Sequence, residues 1–268
     1  MSAKSRKEVL VRSASGLVYV ALVLALIFLK APFFQIGMAV FSILVAQEAF
    51  GLVKKGMNSS PNVWVSPIFG ILPILMLFGN GLPLIEAGSL LAVFIALLLL
   101  WRFEKTKASA LWLGLGILVQ LPFWIMARLG WHDPFPVKIM LILFFLTWIN
   151  DTLAYLAGSF WGKTKIAPSI SPSKSVEGFV AGLIGSTLLV YLLAKFWLDT
   201  NPIPWMGFAI IYVPLAVAGD FFESHLKRKA GVKDSGKIMP GHGGALDRFD
   251  SFIFAVPLTY IYILNLLV

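Results

Sequence analysis

The sequence predicts an all-α polytopic membrane protein of about nine transmembrane helices, with its N-terminus cytoplasmic and its C-terminus outside. Three observations carry that reading. Hydrophobic residues fill 59% of the 268 positions and charged residues 13%, for a mean hydropathy of +0.86. The apolar residues come in runs of the length that crosses a bilayer, about 20 residues of helix. Finally, 18 of the 22 lysines and arginines fall on one side of the alternating loops, the bias expected of cytoplasmic segments.

The first run, roughly 13–29, follows Lys4, Arg6, Lys7 and Arg12. A basic flank of this kind also precedes secretory leaders. Here another apolar run follows with no small-residue cleavage site, so a retained helix is expected. The next runs are roughly 35–52, ending on Lys54 and Lys55, then 63–79, and 87–101, followed by Arg102, Lys105 and Lys107. Beyond them come 109–127 and 139–157, whose following loop holds Lys163, Lys165 and Lys174, then 176–197 and 204–221. The loop after 204–221 holds Lys227, Arg228, Lys229, Lys233, Lys237 and Arg248, and the last run is 250–267. Only Lys30, Arg128, Lys138 and Lys195 fall opposite, and the uncharged tail YIYILNLLV suits the outer side.

The net charge of +9 therefore orients the chain in a membrane and does not mark a nucleic-acid partner. Absence of cysteine excludes a disulfide framework, a thiol nucleophile and thiolate metal sites. There is no repeat and no Pro/Gly linker between modules. The division expected is a transmembrane scaffold over 1–130, spans one to five, and a catalytic transmembrane region over 131–268, spans six to nine. Before residue 130 ionisable residues in the spans are few, chiefly Glu48, whereas Asp151, Asp220 and Asp250 stand in or at the ends of later spans.

Carboxylates in a hydrocarbon region cost on the order of 2.5–3.5 kcal/mol each and face a cavity, a cation or a partner. Asp220, Glu223, Ser224 and Lys227 recur at i, i+3, i+4 and i+7, which lays them on one helix face. An ordinary intrahelical Glu223–Lys227 pair, worth about 0.2–0.5 kcal/mol, is the simple alternative for those two. In the segment KDSGKIMPGHGGALDRFD, the PGHGG stretch is either a tight turn or a cradle of backbone N–H groups for phosphate oxygens. Lys227, Arg228, Lys233 and Arg248 flank it, and Asp247 and Asp250 follow, as Mg²⁺ ligands or as caps of the last helix. His242 has no histidine at zinc-site spacing, since His132 and His225 stand apart. It donates to a phosphate or completes the turn. A second polar stretch runs from Asp151 through Lys163, Lys165, Ser171, Lys174 and Ser175 to Glu177, with Ser175 a candidate helix cap.

The run SHLKRKAGVKDSGKIMPGHGGALDRFD closely resembles the signature of the phosphatidate cytidylyltransferase (CDP-diacylglycerol synthase) family. Its elements stand in register as Ser224, Lys227, Arg228, Lys233, Asp234, His242, Gly243, Gly244, Asp247, Arg248 and Asp250. Gly219, Asp220, Glu223 and SPSKSVEG also look like this family, and the resemblance is strong over roughly 148–252. Met239 and Ala245 depart mildly, both toward other apolar residues. The resemblance implies transfer of a cytidylyl group from CTP to phosphatidate, with Mg²⁺ required and K⁺ as a second cation. It implies Asp220 and Asp247 as metal ligands, supported by Asp250 and Asp151. Catalytic roles fall to Asp220, Asp247, Lys227, Arg228, Lys233, Asp234, Arg248 and Asp250. Substrate binding falls to Asp151, Ser171, Lys174, Ser175, Glu223, Ser224, His242, Gly243 and Gly244. The partners expected are CTP, phosphatidate and membrane lipid, and a homodimer through the first spans is compatible with the sequence. The expected location is the cell inner (plasma) membrane, multi-pass, with the active site toward the cytoplasm.

Other readings remain open on sequence alone. An anion transporter would use membrane carboxylates as a cation site, but it gives no reason for so polar a loop. A CTP-dependent polyprenol kinase is nearer in chemistry. The Asp-Gly-x-x-Ala-Arg motif of CDP-alcohol phosphotransferases is missing from the chain.

Overall fold

The computed structural model describes residues 3–57, 108–130 and 136–267. The expected spans 63–79 and 87–101, the basic cluster Arg102, Lys105 and Lys107, and His132 lie outside them. Helix α1 (Ala3–Leu29) and α2 (Phe33–Met57) are followed by α3 (Ala108–Leu129) and α4 (Val137–Trp161). Then come strands β1 (Lys165–Ala167) and β2 (Ser171–Ser175), and α5 (Val176–Leu193), prolonged by a π-helical turn over Ala194–Leu198. Helix α6 (Pro202–Lys229) leads through an irregular loop to the single turn α7 (Leu246–Phe249) and to α8 (Phe252–Leu267).

Five of these helices are long and apolar enough to cross a membrane: Val11–Leu29, Phe33–Gly56, Val137–Trp161, Val176–Leu198 and Pro202–Lys229. The apolar part of α3, Gly114–Leu129, and the 16-residue α8 are shorter. The class is mostly helical rather than all-α. Residues between α4 and α5 form an antiparallel hairpin that pairs Lys165 with Ser175 and Ala167 with Ser171. Pro168 and Pro172 interrupt this stretch, and proline cannot continue a helix interior; extended backbone is what remains.

Local chemistry sets the ends of the elements that matter most. Asn201 caps α6, its side chain accepting from Ile203 N at 3.0 Å, with Pro202 at the first helical position. The helix runs two turns past the expected end at 221 and stops at Gly231, whose φ of +67° is the left-handed conformation of a helix C-terminus. Ser175 caps α5 through Gly178 N at 3.2 Å, as anticipated.

Helix α4 packs on α5, α2 on α3, and α6 on both α5 and α8. Outward faces such as Ile184, Leu188 and Phe160 stay exposed, the surface of helices whose solvent is lipid. At the inner seam Phe249, 1% exposed, is a hub. Its ring centroid lies 5.9 Å from Tyr19 of α1, 4.8 Å from Phe41 of α2, 4.9 Å from Phe123 of α3, 6.4 Å from Phe144 of α4 and 5.8 Å from Phe252 of α8. Each such pair contributes about 0.5–1.5 kcal/mol beyond burial. Phe249 therefore nails the short α7 into the bundle, and its sequence neighbours Arg248 and Asp250 are set by that anchor. Phe249→Ala is expected to destabilise the protein by about 3–5 kcal/mol and Phe249→Leu by less, read as the denaturation midpoint in detergent micelles.

Candidate active site

The polar residues collect at one end of the bundle. Helix α6 brings Asp220, Glu223 and Lys227 along one face, as their spacing predicts. Ser224 Oγ donates to Asp220 Oδ1 at 3.2 Å and Lys227 forms an ion pair with Glu223. Gly219 lets the α7–α8 junction close on α6, because a Cβ there would overlap the Asp250 carbonyl. That approach brings the Asp250 carboxylate to α6. One oxygen from each of Asp220, Glu223 and Asp250 lies within 4.8 Å of the others. Asp250 also accepts from Ser251 N at 2.7 Å, so it serves the start of α8 as well. Glu223 is fully buried, and beyond its Lys227 ion pair neither of its oxygens accepts a hydrogen bond.

Asp247 is the best-satisfied carboxylate of the group. Its Oδ1 receives Lys227 Nζ at 2.7 Å, and its Oδ2 receives Gly244 N at 2.7 Å and both the backbone N and the hydroxyl of Ser235 at 2.9 Å. Burial pushes its pKa up, but the Gly244 N–H and the Lys227 ammonium outweigh burial and hold it at about 2. Asp247 is thus ionised at neutral pH. Gly243, at φ +88°, has no room for a Cβ because Asp247 fills that space.

The hairpin closes over this end. Lys174 pairs with Asp220 and lies 4.8 Å above the Phe221 ring. Arg228 Nε donates to Ile170 O at 3.2 Å and its Nη1 to Val232 O at 3.0 Å, joining hairpin, helix and loop. Asp151, exposed on α4, accepts from Asn150 Nδ2 at 3.2 Å and interacts electrostatically with Asp220 and Lys174. Arg248 Nη2 donates to His242 O at 3.0 Å. Lys233 and Asp234 stand exposed in the loop, and Ser171 is half-buried at the strand end. The structure therefore gathers Asp220, Glu223, Ser224, Lys227, Asp247, Asp250 and Lys174 into one network, with Lys233 and Asp234 at its margin.

Three participants carried no expected role. Glu48 of α2 accepts from Ala245 N at 3.0 Å, Leu246 N at 2.8 Å and Ser235 Oγ at 2.7 Å. Ser15 of α1 lies 2.7 Å from His242 Nδ1 and donates to Pro240 O at 2.9 Å. Burial, followed by the Arg248 and Arg12 charges, holds the His242 pKa below its ordinary value, so the ring is neutral at pH 7. Ser235 is the third. The legible signal was Glu48 itself, a carboxylate in an apolar run. Nothing in the spacing of Ser15 or Ser235 marks them.

The donor set is all oxygen and anionic, with one buried carboxylate poor in hydrogen-bond donors, and it suits a hard divalent cation such as Mg²⁺. Around it stand ammonium and guanidinium groups that neutralise phosphates.

Residues 10–266 match the Cytidylyltransferase family. The chain is 30% identical to a phosphatidate cytidylyltransferase of Staphylococcus haemolyticus over 96% of its own length and 99% of that protein. It is 32% identical to the Haemophilus influenzae phosphatidate cytidylyltransferase over 94% of its length and 97% of that protein. Against the Staphylococcus aureus (strain COL) protein, identity rises to 47% over 128 residues, 47% of this chain and 49% of the other. With a profile matched over nearly all its residues and relatives aligned end to end, the chain belongs to the cytidylyltransferase family.

Proposed function

We infer that the chain joins CTP and phosphatidate to give CDP-diacylglycerol and pyrophosphate, an integral-membrane nucleotidyl transfer in phospholipid synthesis. The observation that carries this is the network of carboxylates and cations at the mouth of an apolar bundle, in a chain aligned along its length with phosphatidate cytidylyltransferases.

The chemistry needs little from a protein base. The second pKa of a phosphate monoester lies near about 6, so the phosphatidate headgroup is already an anionic nucleophile. Its oxygen forms a bond to the α-phosphorus of CTP as the bond to the pyrophosphate oxygen breaks. The barrier lies in bringing two anions together and in accepting the charge of the leaving pyrophosphate. Lys174, Arg228, Lys233 and Arg248 supply fixed positive charge, and His242, Gly243 and Gly244 line the nucleotide's phosphate tail. Neutral His242 offers a donor without carrying charge.

The proposed cation is Mg²⁺, with K⁺ as a second ion. Asp220 and Asp247 are its proposed ligands, and Glu223 and Asp250 lie close enough to Asp220 to complete the set. Bound there, Mg²⁺ supplies charge neutralisation at the phosphates. Asp247 would hold the ion only with Lys227 turned away from its Oδ1, whereas Asp220, Glu223 and Asp250 already lie together. Substrate-binding roles are proposed for Asp151, Ser171, Ser175 and Ser224, and a catalytic role for Asp234.

The arrangement about the membrane is part of the proposal. Nine spans, a cytoplasmic N-terminus and an active site facing the cytoplasm of the inner membrane agree with the gathering of Arg12, Lys54, Lys55, Lys174 and Lys227–Lys229 around one end of the bundle. Two acyl chains, at about 0.8 kcal/mol per methylene, confine one substrate to the bilayer, while CTP arrives from water. Lipid partners and a homodimer belong to the same proposal.

Purified protein given phosphatidate, CTP and Mg²⁺ is expected to release pyrophosphate, and to stop when phosphatidate or Mg²⁺ is withdrawn. Asp220→Asn and Asp247→Asn are each expected to lower CDP-diacylglycerol synthesis by about 100-fold or more, measured as labelled CTP entering lipid. A folded variant with normal Mg²⁺-dependent activity removes that residue from the ligand set. Lys227→Met removes the cation shared by Glu223 and Asp247, leaves the buried Glu223 uncompensated, and is expected to cost about 3–5 kcal/mol of stability. Adding Glu223→Gln should recover part of that loss in the same melting assay.

A further inference from the structure

We propose that Glu48 is a positioning residue for cytidylyl transfer: from the scaffold helix α2 it holds the glycine-rich loop so that Asp247 meets Lys227 and Asp250 meets Asp220 and Glu223 of α6. The observation behind it is how the Glu48 carboxylate is satisfied. It lies in a segment long and apolar enough to cross a membrane, Phe33–Gly56, where an ionised side chain is expensive unless it has a partner. No basic side chain among the described residues pairs with it. Its donors are instead all on the loop: Ala245 N at 3.0 Å on Oε1, and Leu246 N at 2.8 Å and Ser235 Oγ at 2.7 Å on Oε2.

The loop is shaped to admit it. A Cβ at Gly236 or at Gly244 would overlap the Glu48 carboxylate, so these glycines form the two walls of a slot that this side chain fills. Ala245 and Leu246 immediately precede Asp247, and Leu246 opens α7. The Ser235 hydroxyl stands between Glu48 and Asp247, 2.7 Å from one and 2.9 Å from the other, with a single proton for both. The backbone bonds of Glu48 are to Ala245 and Leu246, and it acts on Asp247 and Asp250 through the backbone that carries them. Hydrogen bonds to an ionised acceptor are stronger than neutral ones, so the two backbone N–H bonds, with the shared Ser235 proton, make a stiff tether between the two halves of the chain.

This proposal rests on the cytidylyltransfer reading for its catalytic part only, and the test separates the two. The full-length protein and its Glu48→Ala and Glu48→Gln variants are placed in phospholipid vesicles. Backbone hydrogen exchange over residues 235–249 is followed alongside steady-state transfer from CTP to phosphatidate. Expected for Glu48→Ala is faster exchange at Ala245 and Leu246 by about 10-fold or more, with exchange in α3 and α4 unchanged. Its kcat is expected to fall by about 10- to 100-fold, the range for residues that orient ligand-bearing groups, with the KM for phosphatidate within about threefold. Glu48→Gln keeps the shape and one acceptor and should retain part of both properties. Unchanged exchange at 245–246 overturns the tether. Acceleration spread evenly over α2, α3 and α4 reduces Glu48 to a structural residue and overturns its positioning role, as does a loosened loop with wild-type kcat. If the wild-type protein transfers no cytidylyl group, the functional reading fails, and the exchange result alone decides the tether.

Discussion

The contact on which the polar end of this protein depends is the Lys227 ammonium lodged between Glu223 and Asp247. Both carboxylates are nearly closed to solvent, with side-chain exposures of 0% and 8%, and the lysine itself is 11% exposed. Removing an ion from water costs several kcal/mol even after relaxation; among the described residues Glu223 has no other partner there, while Asp247 adds the cation to its Gly244 and Ser235 donors. The helix supplies half of the arrangement, because i and i+4 on α6 are neighbours whatever the loop does. Asp247, twenty residues further along the chain, joins only if the loop returns to α6. The ion pair is therefore a closure device as well as a charge balance.

Two further constraints make that return specific. On the apolar side, the Phe249 ring enters a seam lined by five helices, and a one-residue slip would exchange it for Arg248 or Asp250. On the polar side, the Gly219 backbone allows the Asp250 carbonyl to close on α6. Between these two contacts, the alternation of acid, base, ring and acid in DRFD has one workable register: ring inward, charges toward α6 and the loop. The site thereby sits where the bundle's apolar surface ends and exposed Lys233 and Asp234 begin, and a reaction between a lipid and a nucleotide needs that boundary.

Much of this was legible beforehand, and the reasons differ by level. Runs of apolar residues mark helices because lipid forbids unpaired backbone, and each described run formed a helix where expected, although α1 begins earlier and α6 ends two turns later. The polar face of α6 followed from helical periodicity alone. The hairpin at 165–175 was not legible, since three- and five-residue strands leave no periodic trace. Nor was the partition among carboxylates. Asp247 and Asp250 are three residues apart on one turn, yet the first is tied up by loop N–H groups and Lys227 while the second faces Asp220 and Glu223. That difference arises from where the loop folds back, and no local spacing encodes it.

The glycines of the loop carry the same lesson to the function. Read along the chain, PGHGG is a turn or a phosphate cradle, since bare backbone welcomes either. In the folded protein the space left at Gly243 is taken by Asp247, and that at Gly244 and Gly236 by Glu48. These glycines make room first for carboxylates of the protein itself, and only the loop so ordered can present its remaining donors to a nucleotide. One of the two carboxylates comes from α2, and Ser15 of α1 meets His242 from the other side. The first two helices thus reach the polar site directly, and a lipid-facing scaffold is too passive a description of them. The loop is held from two helices at once, Asp247 being answered by Lys227 of α6 and the Ala245 and Leu246 N–H groups by Glu48 of α2.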